Sequence, residues 1–416
     1  MSVEEKEMAE RILGSDIDRR EDHPLITGEA EYTDDISEEE MVHLSIVRSQ
    51  YAHARIKDID KSAAEEHDGV LAVFTAEDLE RTDTPGSLPV GWLLPDLVDP
   101  ENPILVKNKV RYQGDPVAAV VAEDRYTAQD AADLVDVEYE PLDAVTDPVE
   151  TTEEGAPSVH EQAENNIAFD WEIGDKEMTD EAFEDAPNTV SIDLVNQRLI
   201  PNAIEPRATF ADYNSSNDRL TVKMTSQNPH LHRYLMSAVI DHPENKIQVV
   251  APDVGGGFGS KIHNYPGECI TAWCAKQLER PVKWQATRSE TYLTDAHGRG
   301  HVTEGELAVD DDGNILGLRV KTHADLGAYL STFSPSIPTY LYGTLLSGQY
   351  DIPAIHCNVI GTFTNTAPVD AYRGAGRPEA SFVVERLVHL AAKELDMDPA
   401  EFRRKNFVDS DDFPFA

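Results

Sequence analysis

The sequence has little cysteine, no long apolar run and few basic residues. Only Cys269, Cys274 and Cys357 occur among 416 residues. An odd number with no CxxC spacing argues against both a disulfide framework and a structural zinc site. It points instead to a reducing, cytoplasmic compartment. No stretch approaches the roughly 20 apolar residues that cross a bilayer. The N-terminus, MSVEEKEMAERIL, lacks a basic region followed by an apolar one, so neither membrane insertion nor a secretory signal is expected. Against 35 Lys and Arg stand 78 Asp and Glu, a formal charge of −43. That balance excludes a general nucleic-acid binder and repels an anionic membrane surface.

The carboxylates run from Glu4 to Asp412 between patterned apolar segments, so the chain reads as folded with an acidic surface, not as a disordered acidic tail. Self-repulsion of this size strains a compact fold at low salt, whereas molar salt shortens the screening length to roughly 3 Å. A halophilic host is therefore expected. With 40% hydrophobic residues over this length, two or three domains can each bury a core.

Residues 19–145 mix short strands, VHLSIVRS (42–49), GVLAVFT (69–75), VAAVVAE (117–123) and VDVEYEPL (135–142), with a helix over RYTAQDAADLV (125–135). Residues 146–166, rich in Pro, Gly, Thr and acid with no apolar period, read as a linker. Residues 167–416 read as a second α+β unit, with strands LTVKMTSQ (220–227), KIQVVAP (246–252), PVKWQAT (281–287) and ILGLRVKTHADLGAY (315–329). DDGN (311–314) marks a hairpin turn. Helices are expected over 230–240, 267–279 and 379–395 from apolar residues at helical spacing.

Two glycine-rich loops stand out. VGGGFGSK (254–261) follows a strand and precedes a helix. Its glycines allow backbone N–H groups to line a phosphate or an oxygen-rich cofactor edge, with Phe258 as an apolar cover, although a tight structural turn reads equally well. It fits neither the Walker spacing nor GxGxxG, and no acidic ribose partner follows about 20 residues on, which weighs against a nucleotide site. VDAYRGAGRPEA (369–380) runs into a helix, and Arg373 and Arg377 offer fork-shaped donors for an anion or, alternatively, solvated arginines. Between them in type, Gln227 in SQNPHLHR carries an amide that can donate to an oxo group. His230 and His232, two apart on a helix, face different ways and read as solvated or capping residues. EPR (205–207) reads as a local Glu–Arg pair, and Cys269 and Cys274 as small core residues.

The order of segments resembles the large, molybdopterin-binding subunits of the molybdenum hydroxylases, the xanthine dehydrogenase/aldehyde oxidase family. The segments are RREDHPLITGEAEYTDDI (19–36), VRSQYAHARIKDID (47–60), YQGDPVAAVVAEDRYTAQDAADLVDVEYEPL (112–142), NAIEPRATFADY (202–213), TSQNPH (225–230), GGGFGSK (255–261), AYRGAGRPEA (371–380) and MDPAEFRRKNF (397–407). The AYRGAGR loop is nearest the carbon monoxide dehydrogenase branch. The resemblance implies an α/β hammerhead domain at 19–145 and the first molybdopterin-binding domain at 167–416. It also implies that Gln227 hydrogen-bonds the apical oxo ligand, that Gly256, Gly257, Phe258 and Gly259 line the same side, and that Arg373, Gly374 and Ala375 reach the cofactor. Molybdopterin is the implied cofactor, its nucleotide form, cytosine dinucleotide included, being open. No further metal site is expected. The implied reaction is oxidative hydroxylation with water as oxygen source, the electrons leaving through iron–sulfur clusters and FAD on partner subunits.

Departures from the family narrow the substrate. Gly374 stands where carbon monoxide-oxidising members carry a copper-binding cysteine. Ser260-Lys261-Ile262 replaces the Gly-Lys-Glu of purine oxidisers, no arginine stands near Leu341 where their purine-orienting residue falls, and Ala375 replaces a flanking aromatic ring. An aldehyde or an aromatic N-heterocycle is expected. The family subunit is about twice as long, and the half not represented here carries the second molybdopterin-binding domain and the general-base glutamate. The chain is expected to act with a C-terminal half, an iron–sulfur subunit and an FAD subunit. The other reading is a non-catalytic fragment that binds or assembles without turning over.

Overall fold

The computed structural model describes Gly14 and residues 16–413; the N-terminal segment read above for a signal lies outside them. The first part carries β1 (Val42–Arg48), β2 (Ala54–Asp60), β3 (Val70–Thr75), β4 (Lys109–Val110), β5 (Pro116–Ala122) and β6 (Asp136–Pro141). Its helices are α1 (Asp22–Thr27), α2 (Ser62–Glu65), α3 (Ala76–Arg81) and α4 (Arg125–Ala132). The second part adds β7 (Ile167–Gly174), β8 (Asn188–Asn196), β9 (Ala208–Asn214), β10 (Arg219–Met224), β11 (Ile247–Val250), β12 (Val282–Gln285), β13 (His301–Val309), β14 (Ile315–Gly327) and β15 (Ala354–Phe363). With these come α5 (Lys176–Asp185), α6 (Pro229–Val239), α7 (Pro266–Leu278), α8 (Arg288–Thr294), α9 (Arg377–Glu394) and α10 (Pro399–Lys405). The fold is α+β.

The strands form a seven-stranded sheet ordered β11-β10-β9-β12-β1-β5-β3, a five-stranded sheet β7-β15-β14-β13-β8 and a three-stranded sheet β4-β2-β6. The largest sheet thus draws on both halves of the sequence: β1 pairs in parallel with β12, bringing Val42 opposite Val282. Every residue of β5 is buried, which is why PVAAVVA reads as one continuous apolar run without alternation. The helix α7 packs on β9 and β12, and Cys269, Trp273 and Cys274 enter the core beneath it, as small and large apolar residues at helical spacing require. A second core joins the five-stranded sheet to α9 through Leu307, Leu318, Val359, Val383 and Leu387.

The expected helices and strands are present with boundaries shifted by a few residues. The DDGN turn joins β13 to β14, closed by Asp310 N–H to Asn314 O at 3.0 Å, with Gly313 at φ +83°. One shift matters to function. β10 stops at Met224, and Asn228-Pro229 starts α6, the Asn228 side chain accepting from Leu231 N–H at 3.4 Å. Gln227 therefore sits in a turn between strand and helix, not at the strand's end. The outer strands β7 and β8 escaped the sequence reading because their alternation is between half-buried and exposed residues. Residues 146–166, read as a linker, hold no strand or α-helix, yet Thr151, Val159 and Asn166 are buried. Asn166 ties this stretch down, accepting from Val159 N–H at 2.8 Å and donating to Thr151 O at 3.0 Å.

Where the two parts meet, Asp115 is buried and its Oδ2 accepts from Arg111 N–H at 2.7 Å and from the Tyr329 hydroxyl at 3.2 Å. Burial pushes its pKa up to about 7, against the pull of these donors. The folded carboxyl then holds a proton that the unfolded one has released, so its contribution is full at acid pH and is lost as pH rises through about 7. Asp115→Asn keeps an acceptor without the charge. Its unfolding midpoint is expected to exceed the wild type's clearly at pH 8 and much less at pH 5; an equal gain at both would show that Asp115 does not titrate in this window.

Candidate functional site

The first glycine loop lies between β11 and α7 and closes around the turn that carries Gln227. Gln227 N–H donates to Lys261 O at 2.8 Å, and its side-chain Oε1 accepts from Gly259 N–H at 2.9 Å and Lys261 N–H at 3.3 Å. Two backbone donors on one amide atom identify that atom as the oxygen. The Nε2 group is then the free end, a double donor with no acceptor among the described residues, on an exposed side chain. Gly257 makes this possible: a Cβ there would fall 2.3 Å from Gln227 Oε1.

The second loop, between β15 and α9, interlocks with the first. Arg373 N–H donates to Phe258 O at 2.8 Å, and Gly259, at φ +107°, lies so close that a Cβ would meet Ala371 O at 2.3 Å. Phe258 adopts φ +54° and is 44% exposed, which turns its ring outward over the loops, where an apolar cover is expected. Gly374, Ala375 and Gly376 all have positive φ, so the loop tip is left-handed throughout, including the costly Ala375. The Arg373 side chain is exposed and makes no ion pair or hydrogen bond among the described residues. Arg377, the other expected anion donor, folds back on its own loop, with Nη1 donating to Gly374 O at 3.2 Å.

Beneath the first loop, the EPR segment does not form a local Glu–Arg pair. Glu205 accepts from Gly255 N–H at 2.6 Å and from Lys261 Nζ at 3.1 Å, while Lys261 Nζ also donates to Glu205 O at 2.9 Å. These bonds clasp the loop at both ends. Lys261 is 1% exposed, and burial lowers its pKa against the attraction of Glu205. Arg207 points the other way into the core, donating to Asp295 at 2.6 Å and Thr294 at 2.9 Å and lying 3.7 Å from the Tyr265 ring centre. Spacing alone could not distinguish these partners, because both lie far along the chain. His230 is exposed as read, but His232 is fully buried, its Nε2 against His263 O at 3.1 Å, since its face of α6 turns into the core. Burial lowers its pKa to about 4, so it is neutral at physiological pH.

A cleft of about 1010 Å³ opens over these loops, bordered by Tyr32, Ile204, Glu205, Phe258, Tyr372 and Arg373. Among the described residues no group of three or more His, Cys, Asp or Glu side chains converges as a metal-ligand set, and no helix is long and apolar enough to cross a membrane. The glycine cradle, the free amide donor of Gln227 and the unpaired Arg373 are the groups that an oxygen-rich, anionic cofactor requires, and the residues present fit a molybdopterin.

Comparison with known proteins agrees. Residues 159–407 match the molybdopterin cofactor-binding domain, and residues 27–143 match the aldehyde oxidase and xanthine dehydrogenase a/b hammerhead domain. The chain is 40% identical to the carbon monoxide dehydrogenase large chain of Hydrogenophaga pseudoflava, over 95% of this chain and 50% of that one. The quinoline 2-oxidoreductase structure from Pseudomonas putida 86 superposes with a TM-score of 0.93 at 32% identity, covering 98% of this chain and 51% of that one. A nicotinate dehydrogenase large molybdopterin subunit from Eubacterium barkeri is 29% identical over 95% of this chain and 89% of that subunit. The chain spans about half the length of the carbon monoxide dehydrogenase large chains it matches, 50% and 52%. The chain belongs to the xanthine dehydrogenase/aldehyde oxidase family of molybdenum hydroxylases, whose large subunits bind molybdopterin.

Proposed function

We propose that this chain forms one wall of a molybdenum hydroxylase active site that oxidises an aldehyde or an aromatic N-heterocycle, with water as the oxygen source. The observation that carries the reading is the Gln227 amide, locked by Gly259 and Lys261 N–H groups so that Nε2 is presented as a donor beside two interlocked glycine loops. Molybdopterin, when bound, supplies the two-electron acceptor and the oxygen-transfer chemistry. Gln227 offers a hydrogen bond to its oxo group, Gly256 to Gly259 admit it closely, and Phe258 screens it from water. Arg373, Gly374 and Ala375 contact it from the opposite loop, Arg373 through its unpaired guanidinium.

A second molybdopterin-binding domain carrying the general-base glutamate completes the site, and electrons leave to iron–sulfur and FAD subunits. A substrate other than carbon monoxide is supported by Gly374, since all three cysteines, Cys269, Cys274 and Cys357, are buried elsewhere. Leu341, whose carbonyl lies against Gly376, puts an apolar side chain where purine oxidisers have an arginine.

The test is molybdenum content by mass spectrometry, on the chain purified in high salt alone and after co-expression with a chain that supplies the second domain. Metal is expected only in the co-expressed complex, which then reduces an artificial acceptor with an aldehyde or heterocycle. Soluble complex without molybdenum would leave the non-catalytic reading. Within a loaded complex, Gln227→Ala is expected to lower kcat/KM on the order of 10²- to 10³-fold, the effect of removing one preorganised donor. Unchanged kcat/KM would sink the role given to Gln227.

A further inference from the structure

Arg299 is a buried arginine that the sequence reading passed over, in the segment Gly298-Arg299-Gly300 that wraps the second glycine loop. It is 8% exposed and adopts φ +68°, a conformation that strains a non-glycine residue and persists only where its surroundings enforce it. The surroundings do. Its Nη1 donates to Tyr372 O at 3.1 Å and to Glu379 Oε1 at 3.2 Å, its Nη2 donates to Arg373 O at 2.9 Å, and the guanidinium lies 4.7 Å from the Tyr372 ring centre. Gly298 permits the approach, since a Cβ there would fall 2.3 Å from Tyr372 Cβ.

One guanidinium thus holds two consecutive carbonyls, and in a trans peptide the carbonyl and the following N–H point in opposite directions. Fixing Tyr372 O turns the Arg373 N–H away from Arg299, and that N–H meets Phe258 O at 2.8 Å. Fixing Arg373 O likewise turns the Gly374 N–H away from Arg299, and this N–H has no acceptor among the described residues. We infer that Arg299 is a positioning residue: through the carbonyls of Tyr372 and Arg373 it presets the Gly374 N–H as a backbone donor toward the anionic edge of the cofactor. Glu379, buried in the first turn of α9, anchors the fork from behind. The inference rests on the reading of AYRGAGR as a cofactor-facing loop.

The experiment follows molybdenum release by mass spectrometry from the assembled holo complex during dialysis, beside the unfolding midpoint of the same samples. Arg299→Lys keeps the charge but cannot engage two carbonyls with one planar fork. It is expected to speed release about 10- to 100-fold, the usual cost of losing a group that orients a ligand. Arg403→Lys is the control, because Arg403 on α10 pairs at 2.8 Å with Glu385 on α9, away from the loop. It is expected to lower the midpoint without speeding release. Glu379→Gln, which leaves the fork but removes its anchor, is expected to fall between and carries the test if Arg299→Lys does not assemble. Release that tracks the midpoint in all variants, or an Arg299→Lys complex that holds molybdenum as wild type does, would overturn the inference. A wild-type complex that never binds molybdenum would overturn the reading of the site and the inference with it.

Discussion

Replacing Arg207 with methionine is expected to destabilise the fold by about 3–5 kcal/mol, the usual cost of removing one partner from a buried ionic cluster. Arg207 and Glu268 are each 1% exposed and Asp295 is 3% exposed. Arg207 donates to Asp295 at 2.6 Å and lies 3.9 Å from Glu268, with the Tyr265 ring stacked against the guanidinium. Burial works against the charge of Arg207, but Asp295, Tyr265 and Glu268 hold its pKa above the ordinary guanidinium value. Burial also pushes the Glu268 carboxyl up to about 7 even with Arg207 in place. Removing the cation leaves the two carboxylates to repel each other in a dry site, and Glu268, already raised with Arg207 in place, then favours the protonated form in the folded state all the more. A folded pKa raised above the unfolded value gives stability that is present in acid and lost as pH rises. The penalty for Arg207→Met is therefore expected to be smallest near pH 5 and largest at pH 8, read from urea unfolding midpoints. The triple variant with Glu268→Gln and Asp295→Asn is expected to recover much of it, because neutralising a whole cluster costs less than orphaning half of one. A penalty independent of pH would mean that the carboxylates are compensated by groups other than Arg207.

The contrast between Arg207 and Gln227 shows what the sequence could convey. The glycine loops were legible because glycine clusters mark close backbone approach wherever they occur, and Gln227 was singled out because Asn228-Pro229 ends the strand segment that carries it. The helices α6, α7 and α9 were legible from apolar periodicity within each segment. Partners separated by many residues were not: Arg207 sits two residues from Glu205 but pairs with Asp295, while Glu205 pairs with Lys261. His232 read as solvated because its immediate neighbours are polar, yet its face of α6 is turned into the core by the packing of that helix on β11. Arg299 gave no local sign beyond its two flanking glycines, and their reasons, the close approach of Gly298 to Tyr372 and the φ of +81° at Gly300, appear only in the fold. The seven-stranded sheet was hidden for the same reason, since the parallel pairing of β1 with β12 joins segments more than 200 residues apart.

Two glycines in the first loop are expected to fail in different ways when a methyl group is added. Gly257 does not need a positive φ, and the atoms that a Cβ would meet, at 2.3 Å and 2.4 Å, belong to the Gln227 side chain. Gly257→Ala can therefore keep its backbone and push the amide aside, freeing Gly259 and Lys261 N–H from their acceptor. Its loss in kcat/KM is expected to match that of Gln227→Ala, on the order of 10²- to 10³-fold, with molybdenum retained. The two changes act on one group, so in the Gln227→Ala background Gly257→Ala should cost little more, a large departure from additivity. Gly259 stands at φ +107°, and its Cβ would meet the backbone oxygen of Ala371 at 2.3 Å, an atom that cannot rotate away. Gly259→Ala is expected to part the two loops, break the bond from Arg373 N–H to Phe258 O and lower molybdenum content. Additive losses for Gly257→Ala and Gln227→Ala would show that Gly257 shapes the loop for some reason other than the seat of the amide. Full molybdenum in Gly259→Ala would show that the interlock of the two loops is not what holds the cofactor.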